Sequence, residues 1–202
     1  ENITHVDGNV NPVRDKEIID VELQLRDLET IESRIGRVEK LAQTGQDKDA
    51  KRAFDVYSNR NGALLKGEPA GWVTFESKED AKIAKELFLL TSKPVMYVCN
   101  VDEESAVSGN KYVEQVREAV KNENAQIIVV AAKMESEIAE LESYEERQEF
   151  LEEIGLEESG VNRLIKSAYR LLNLKTYFPV GPLEVRAWNF EGGWKAPQCA
   201  RV

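Results

Sequence analysis

Two short apolar runs with a helical pattern between them constrain the fold of this chain more than any other feature. The runs are residues 94–99 and 127–132, and the helical pattern lies at about residues 112–122. A strand, a helix and a second strand in this order predict two parallel strands in an α/β fold. Because both runs are continuously apolar, we expect the sheet to be covered on both faces.

A helical hairpin is predicted before the first of these strands. Residues 13–43 carry apolar side chains in alternating steps of three and four, which is typical of one long helix, and Thr44-Gly45 ends it. A second helical segment covers residues 47–66. The short turn between the two predicts an antiparallel pair, forming an arm. A third helix is predicted at residues 78–90, with Ser77 as its cap.

The part of the chain after residue 132 changes character twice. Residues 135–153 are acidic and helical in pattern, and another helix is predicted at residues 161–172. From Thr176 onward, Val185 and Ala187 alternate with a charged residue, and Gly192-Gly193 marks a turn. This pattern predicts the start of a small β-rich domain.

The net charge of −10 is unevenly distributed along the chain. Residues 134–160 hold eleven Asp and Glu against one Arg, whereas residues 161–202 hold seven Lys and Arg against two Glu. The acids are spaced as a solvated helix face without His or Cys, so we predict no metal site there. The basic segment leaves contact with an anionic partner such as RNA open, beside the alternative of an ordinary solvated surface.

Other features indicate a cytoplasmic protein. No run approaches the roughly 18 apolar residues that a membrane helix needs, and the polar residues 1–12 do not resemble a signal peptide. Cys99 and Cys199 lie far apart, and Cys99 belongs to an apolar run, which favours free thiols in a reducing compartment.

Polar residues follow both predicted strands at their C-terminal ends, where open α/β sheets bind ligands. Residues 100–103 (Asn-Val-Asp-Glu) follow the first strand and residues 131–133 (Ala-Ala-Lys) follow the second. GTPases place Asn-Lys-x-Asp and Ser-Ala-Lys at these positions, and both segments contact the guanine base. The spacing therefore predicts a purine-nucleotide site that includes Asn100, Val101, Glu103, Ala131 and Ala132.

The departures from the GTPase residues predict a different base. In GTPases the Asp accepts hydrogen bonds from two guanine donors, and Glu103 is one methylene longer, so we do not expect it to reach that geometry. An Asn amide pairs with N6 and N7 of adenine, so we expect Asn100 to contact the base and Val101 to pack against it. A site that loses a required hydrogen-bond pair can lose discrimination of about 10⁴-fold.

Further segments along nearly the whole chain resemble signature sequences of the Obg-like ATPase family. They are Glu1-Asn2-Ile3 with His5-Val6-Asp7-Gly8, and residues 11–15, 138–141, 155–160, 171–178, 184–188 and 196–198. The resemblance implies an α/β fold: part of a P-loop G domain, with a parallel sheet and flanking helices, an inserted antiparallel helical hairpin and the start of a β-rich TGS domain.

The resemblance also implies domain bounds and an activity. Residues 1–17 would form a G-domain loop and helix start, 18–90 the coiled-coil insertion, 91–175 the C-terminal half of the G domain and 176–202 the start of the TGS domain. The complete protein would bind ATP, and GTP more weakly, hydrolyse ATP in preference to GTP with Mg²⁺ as cofactor, and associate with the ribosome.

Two points qualify the expected chemistry. The chain contains no G-x-x-x-x-G-K-[ST] segment, so we interpret it as an internal fragment without the phosphate-binding half and without Mg²⁺ ligands, inactive by itself. His5 is the one histidine, and its Asn-Ile-x-His-Val context resembles the family loop whose histidine is proposed to orient the attacking water. A purely structural hydrogen bond from His5 is the alternative.

A different class of function also fits the pattern. The helical arm alone would act as a non-enzymatic interaction module that docks on the ribosome or a partner protein, with the α/β unit as its scaffold. The Glu at position 103 and the Val at position 101 argue against a third interpretation, an ordinary GTPase.

Overall fold

The computed structural model describes residues 8–45, 47–180 and 184–199. These residues fall into two units, one within residues 1–93 and the other within residues 94–202. The first unit is helical, and the second contains two separate two-stranded sheets with their flanking helices.

Helix α1 spans Pro12–Thr44 and confirms the long helix predicted at residues 13–43. Its start follows from local chemistry, because the Asn11 side chain accepts a hydrogen bond from the Arg14 N–H at 3.1 Å and Pro12 occupies the first turn. Gly45 ends the helix in a left-handed conformation at φ 69°, which glycine adopts without steric cost.

Helix α2 spans Lys48–Leu64, returns along α1 and is capped by the Asp47 carboxylate. The antiparallel direction is evident from the Gln24 side chain, which donates a hydrogen bond to the Gly67 carbonyl at 3.2 Å, just beyond the end of α2. A buried cluster holds the base of the hairpin together and consists of Ile31, Leu64, Ala70, Leu87 and Leu89. The predicted hairpin is therefore present.

Helix α3 spans Lys78–Lys85 and is shorter than the helix predicted at residues 78–90. Ser77 caps it as expected, but the chain then reverses through Phe88 at φ 52°. Leu87 and Leu89 are both buried in the hairpin cluster, at 4% and 2% exposure, while Phe88 between them is 76% exposed. Burying alternate residues is incompatible with a helix, so the packing of the two leucines overrides the helical pattern.

A buried carboxylate joins this reversal to α1. Asp27, which is 2% exposed, accepts hydrogen bonds from the N–H groups of Leu90 and Thr91 at 2.8 and 2.7 Å, and from the Thr91 hydroxyl at 2.7 Å. Arg60 of α2 is also buried, and its guanidinium donates to the Ser92 hydroxyl and lies over the Phe75 ring. Burial lowers the pKa of Arg60, and the charge on Asp27 opposes that shift.

The second unit begins with the predicted strand–helix–strand motif. Strand β1 (Met96–Asn100) pairs in parallel with β2 (Gln126–Val130), with Met96 opposite Gln126 and Asn100 opposite Val130. Helix α4 (Lys111–Ala119) connects them, is capped by Asn110, and buries Val113 and Val116. The motif is confirmed to within a few residues.

The expectation that this sheet is covered on both faces is wrong for β1. Ile128 and Val129 of β2 are buried, but Val95 and Val98 are 42% and 50% exposed. Within the described part of the chain, β1 pairs with β2 alone. The apolar run at residues 94–99 thus forms a strand as predicted, but the described residues cover its side chains only in part.

Three helices follow β2, and they bury one apolar cluster among the acidic residues. Helix α5 spans Ala132–Glu140, α6 Tyr144–Glu153 and α7 Gly160–Leu171, so the acidic region contains two helices. The cluster consists of Ala106, Ala131, Met134, Ile138, Leu151 and Leu156. Ser143 and Glu146 form a reciprocal capping box that starts α6.

The chain ends in a small antiparallel sheet. Strand β3 (Leu174–Tyr177) pairs with β4 (Trp188–Glu191), and the short helix α8 (Ala196–Cys199) follows. The Tyr177 hydroxyl donates to the Cys199 carbonyl at 2.7 Å, and Tyr177 and Phe190 meet edge to face at 5.8 Å between ring centroids. Across the described ranges, none of the helices combines the length and apolar character that crossing a membrane requires.

We predict that Asp27→Ala destabilises the first unit by about 3 kcal/mol, because it leaves two backbone N–H groups unpaired and removes the counter-charge of buried Arg60. Urea denaturation measures the change. As a control, Glu29→Ala removes an ion pair with Arg26 whose side chains are 69% and 71% exposed, and its effect should stay below about 1 kcal/mol. Equal effects of the two substitutions would contradict the role given to Asp27.

Candidate functional site

The C-terminal ends of β1 and β2 lie side by side, because parallel strands end at the same edge of their sheet. Asn100 is opposite Val130, and the Val101 N–H donates to the Val130 carbonyl at 2.9 Å, so the pairing continues just beyond β1. Helix α5 begins at Ala132, two residues after β2. The two segments that the sequence analysis singled out are therefore adjacent.

A single side-chain hydrogen bond joins these segments. The Asn100 Oδ1 accepts from the Ala132 N–H at 3.0 Å. Ala131 precedes α5 and has no polar side chain to cap it, so Asn100 supplies from the neighbouring strand the acceptor that a cap residue normally provides. The bond couples the end of β1 to the start of α5.

The same bond fixes the orientation of the Asn100 amide. An N–H donor must face the amide oxygen, so the Nδ2 group points the other way. Asn100 is exposed, and no acceptor among the described residues takes a hydrogen bond from Nδ2. Two amide donors are thus available to a ligand at the strand ends, and Oδ1 retains a second lone pair.

The segment after Asn100 is a tight turn. The Ser105 N–H donates to the Asp102 Oδ1 at 3.0 Å, and the Ala106 N–H donates to the Glu103 carbonyl at 3.1 Å. Hydrogen bonds from Ser105 lower the pKa of Asp102, so its carboxylate stays ionised. Ala106 is 3% exposed and anchors the turn in the apolar cluster under α5 and α6.

Val101 packs against that same apolar cluster. The sequence analysis expected this side chain against the base, and the structure gives it a neighbour in the protein interior. Ala131, which is 3% exposed, belongs to the same cluster. The side chains of both residues thus contribute to the apolar packing beside the strand ends.

Glu103 leaves the turn toward α5 and pairs with Lys133. The Lys133 Nζ lies 3.5 Å from the Glu103 carboxylate and 3.7 Å from that of Glu137, one turn further along the helix. The Lys133 and Glu103 side chains are 81% and 53% exposed. Sequence reasoning quoted Lys133 within its motif without assigning it a role, since a pairing between two strand ends is visible only in the fold.

The first residues of α7 contact the first turn of α5. The Gly160 N–H donates to the Glu135 carboxylate, and the Arg163 guanidinium donates to the Val129 carbonyl at 3.0 Å. Arg163 thus satisfies a carbonyl on the side of β2 that faces away from β1. Gly160, Glu135 and Arg163 were not among the residues singled out from the sequence. The only local signal was the glycine after the cap residue Ser159, because a glycine allows a neighbouring side chain to come close to the backbone.

Five of the six predicted site residues lie at or next to the strand ends, and the sixth is His5. Asn100, Ala131 and Ala132 meet at the strand ends, with Val101 beneath them and Glu103 at the rim. His5 lies outside the described residues. Within the described ranges no three His, Cys, Asp or Glu side chains converge on a position that could hold a metal ion.

Comparison with known proteins identifies relatives of this chain by sequence. No family model matches the chain. The chain is 52% identical over 204 residues to the ribosome-binding ATPase YchF of Bacillus subtilis, covering 100% of this chain and 55% of that protein. It is 46% identical over 202 residues to the ribosome-binding ATPase YchF of Escherichia coli O157:H7, covering 99% and 54%.

A solved structure agrees with the sequence relatives. The YchF GTPase of Schizosaccharomyces pombe superposes with a TM-score of 0.86 at 29% identity, over 100% of this chain and 55% of that one. The fold of this chain is therefore the α/β fold of the YchF GTPase structure. The chain is homologous over its whole length to the YchF-type, Obg-like ATPases, and it spans about 55% of the relatives it matches.

We predict that Gly160→Ala destabilises the second unit by about 1–3 kcal/mol. An added Cβ would lie 2.7 Å from the Glu135 carboxylate and 3.0 Å from the Val130 Cγ1, so the Glu135 contact must break. Gly36→Ala in α1 meets nothing within 4 Å and serves as the control, with an expected gain of about 0.5–1 kcal/mol. Thermal unfolding of both variants tests the contrast, and a neutral Gly160→Ala would contradict it.

Proposed function

We propose that the ends of β1 and β2 bind the base of a purine nucleotide. The carrying observation is the hydrogen bond from Ala132 to Asn100, which holds the amide at the sheet edge with its Nδ2 donors free among the described residues. Asn100 would contact the base, while Ala131 and Ala132 would form the wall beside it. Val101 would support the site through its packing against the apolar cluster, and Glu103 would lie at the edge of the site beside Lys133.

The amide orientation favours adenine over guanine. Adenine presents the N7 acceptor beside the N6 donor, which match Nδ2–H and the second lone pair of Oδ1. Guanine presents O6 in place of the N6 amine, and O6 would face the Asn100 oxygen, acceptor against acceptor. This argument supports ATP as the main ligand and GTP as a weaker one.

We propose further that the complete protein is a ribosome-associated ATPase of the cytoplasm. Two relatives carry the name ribosome-binding ATPase, and the solved relative is described as a GTPase. Hydrolysis of ATP in preference to GTP, with Mg²⁺ and with His5 orienting the water, belongs to this proposal. Nucleotide would act through different affinities for two arrangements of the protein.

The domain division is part of the same proposal. Residues 18–90 would form the inserted coiled-coil arm, with the G-domain start at 1–17 and its C-terminal half at 91–175. Residues 176–202 would begin the TGS domain. The division of the chain after residue 93 supports the bound between the arm and the part that follows it, and the α1–α2 hairpin and the separate β3–β4 sheet support an arm and a distinct C-terminal part.

The proposal is tested by titrating the full-length protein with fluorescent ATP and GTP. We expect tighter binding of ATP, and we expect Asn100→Ala to weaken ATP binding about tenfold or more, because a bidentate contact to a base contributes about 1–3 kcal/mol. Asn124→Ala is the matched control, since Asn124 is exposed before β2 and forms no hydrogen bond within the described residues.

Three outcomes would refute the proposal: equal affinities, a preference for GTP, or no effect of Asn100→Ala. If neither nucleotide binds, the helical-arm docking module becomes the better interpretation. Co-sedimentation of the full-length protein with ribosomes tests the proposed partner separately.

A further inference from the structure

Lys133 and Glu103 face each other across the two strand ends. The Lys133 Nζ lies 3.5 Å from the Glu103 carboxylate, within the range of an ion pair. Glu103 stands at the position where the GTPase pattern places the Asp that accepts two hydrogen bonds from guanine. Its carboxylate therefore occupies the position that selects guanine in GTPases, and in this structure Lys133 forms an ion pair with it.

The backbones of both residues are fixed by contacts already described. Glu103 belongs to the turn anchored by Ala106, and Lys133 is the second residue of α5, whose first N–H is held by Asn100. The two side chains can therefore pair without rearrangement of either segment. Glu137 lies 3.7 Å from the same ammonium and keeps it at this rim of the site.

We propose that Lys133 is a specificity-determining residue that withholds the Glu103 carboxylate from guanine. Guanine has two donors, N1–H and the N2 amine, which one carboxylate can accept as a pair, whereas adenine has no such donor pair on that edge. While Glu103 is paired with Lys133, a guanine base must break the ion pair or leave its donors unmatched. Adenine incurs neither cost. The inference rests on the proposed purine site and assigns its discriminating element.

The test uses the full-length protein and the dissociation constants of ATP and GTP. Lys133→Met keeps a similar side-chain length and frees Glu103. Because Glu103 is one methylene longer than the GTPase Asp, we expect the freed carboxylate to match the guanine donors only in part and GTP binding to tighten about threefold to fivefold, the range of an exposed ion pair. ATP binding should change less than about twofold. Lys133→Arg should keep the wild-type ratio. Lys121→Met is the matched control, since Lys121 forms an exposed ion pair with Glu118 away from the site.

Two further measurements separate the ion pair from a general effect of charge. In a Glu103→Gln background, Lys133→Met should leave the ratio of the two affinities unchanged, because the partner carboxylate is already gone. Raising the salt concentration from about 0.05 M to about 0.5 M should reduce the ATP preference of the wild-type protein and leave that of Lys133→Met nearly constant, since salt screens exposed charges.

The results distinguish this inference from the function on which it rests. If the wild-type protein prefers ATP but Lys133→Met leaves the ratio unchanged, the role of Lys133 is wrong and the purine site stands. If the substitution weakens ATP and GTP equally, Lys133 contacts the nucleotide itself and does not select the base. If the wild-type protein binds neither nucleotide or prefers GTP, both proposals fall.

Discussion

The hydrogen bond between the Asn100 side chain and the Ala132 N–H is the interaction on which the candidate site depends. It replaces the cap that Ala131 cannot provide, and it fixes the amide so that its donors face outward. Because the bond crosses from one strand to the next, it also sets the distance between the turn after β1 and the start of α5. The Glu103–Lys133 pair forms across that same gap. The amide that supports the start of α5 is thus the same group that we propose to contact the base.

The helical hairpin and the strand–helix–strand motif were predictable because each rests on a local pattern. The spacing along α1, the caps at Asn11 and Ser77, and the two apolar runs all depend on residues close in sequence. The reversal at Phe88 was not predictable, since it follows from burying Leu87 and Leu89 against a helix about 60 residues away in sequence. At residues 86–90, tertiary packing therefore outweighed the local preference for a helix.

The site was predictable in its location and less so in its details. The motif after each strand indicated that residues 100–103 and 131–133 would meet, and they do. Val101 was expected against the base because it replaces a lysine, and its contact with the apolar cluster, which the structure adds, could not be inferred from the motif. The pairing of Glu103 with Lys133 depends on the relative register of two segments, which residue spacing alone does not define.

The parallel register has a consequence for the backbone of Asn100. Val95 and Val101 bond toward β2, through the Val95 carbonyl and the Val101 N–H, so the alternate residues Met96, Val98 and Asn100 direct their peptide groups to the opposite flank of β1. A segment that adds to this flank would bond to the backbone of Asn100, whose side-chain amide holds the start of α5. A shift of one register step along that flank would therefore also displace the side chain of Asn100 from the strand end.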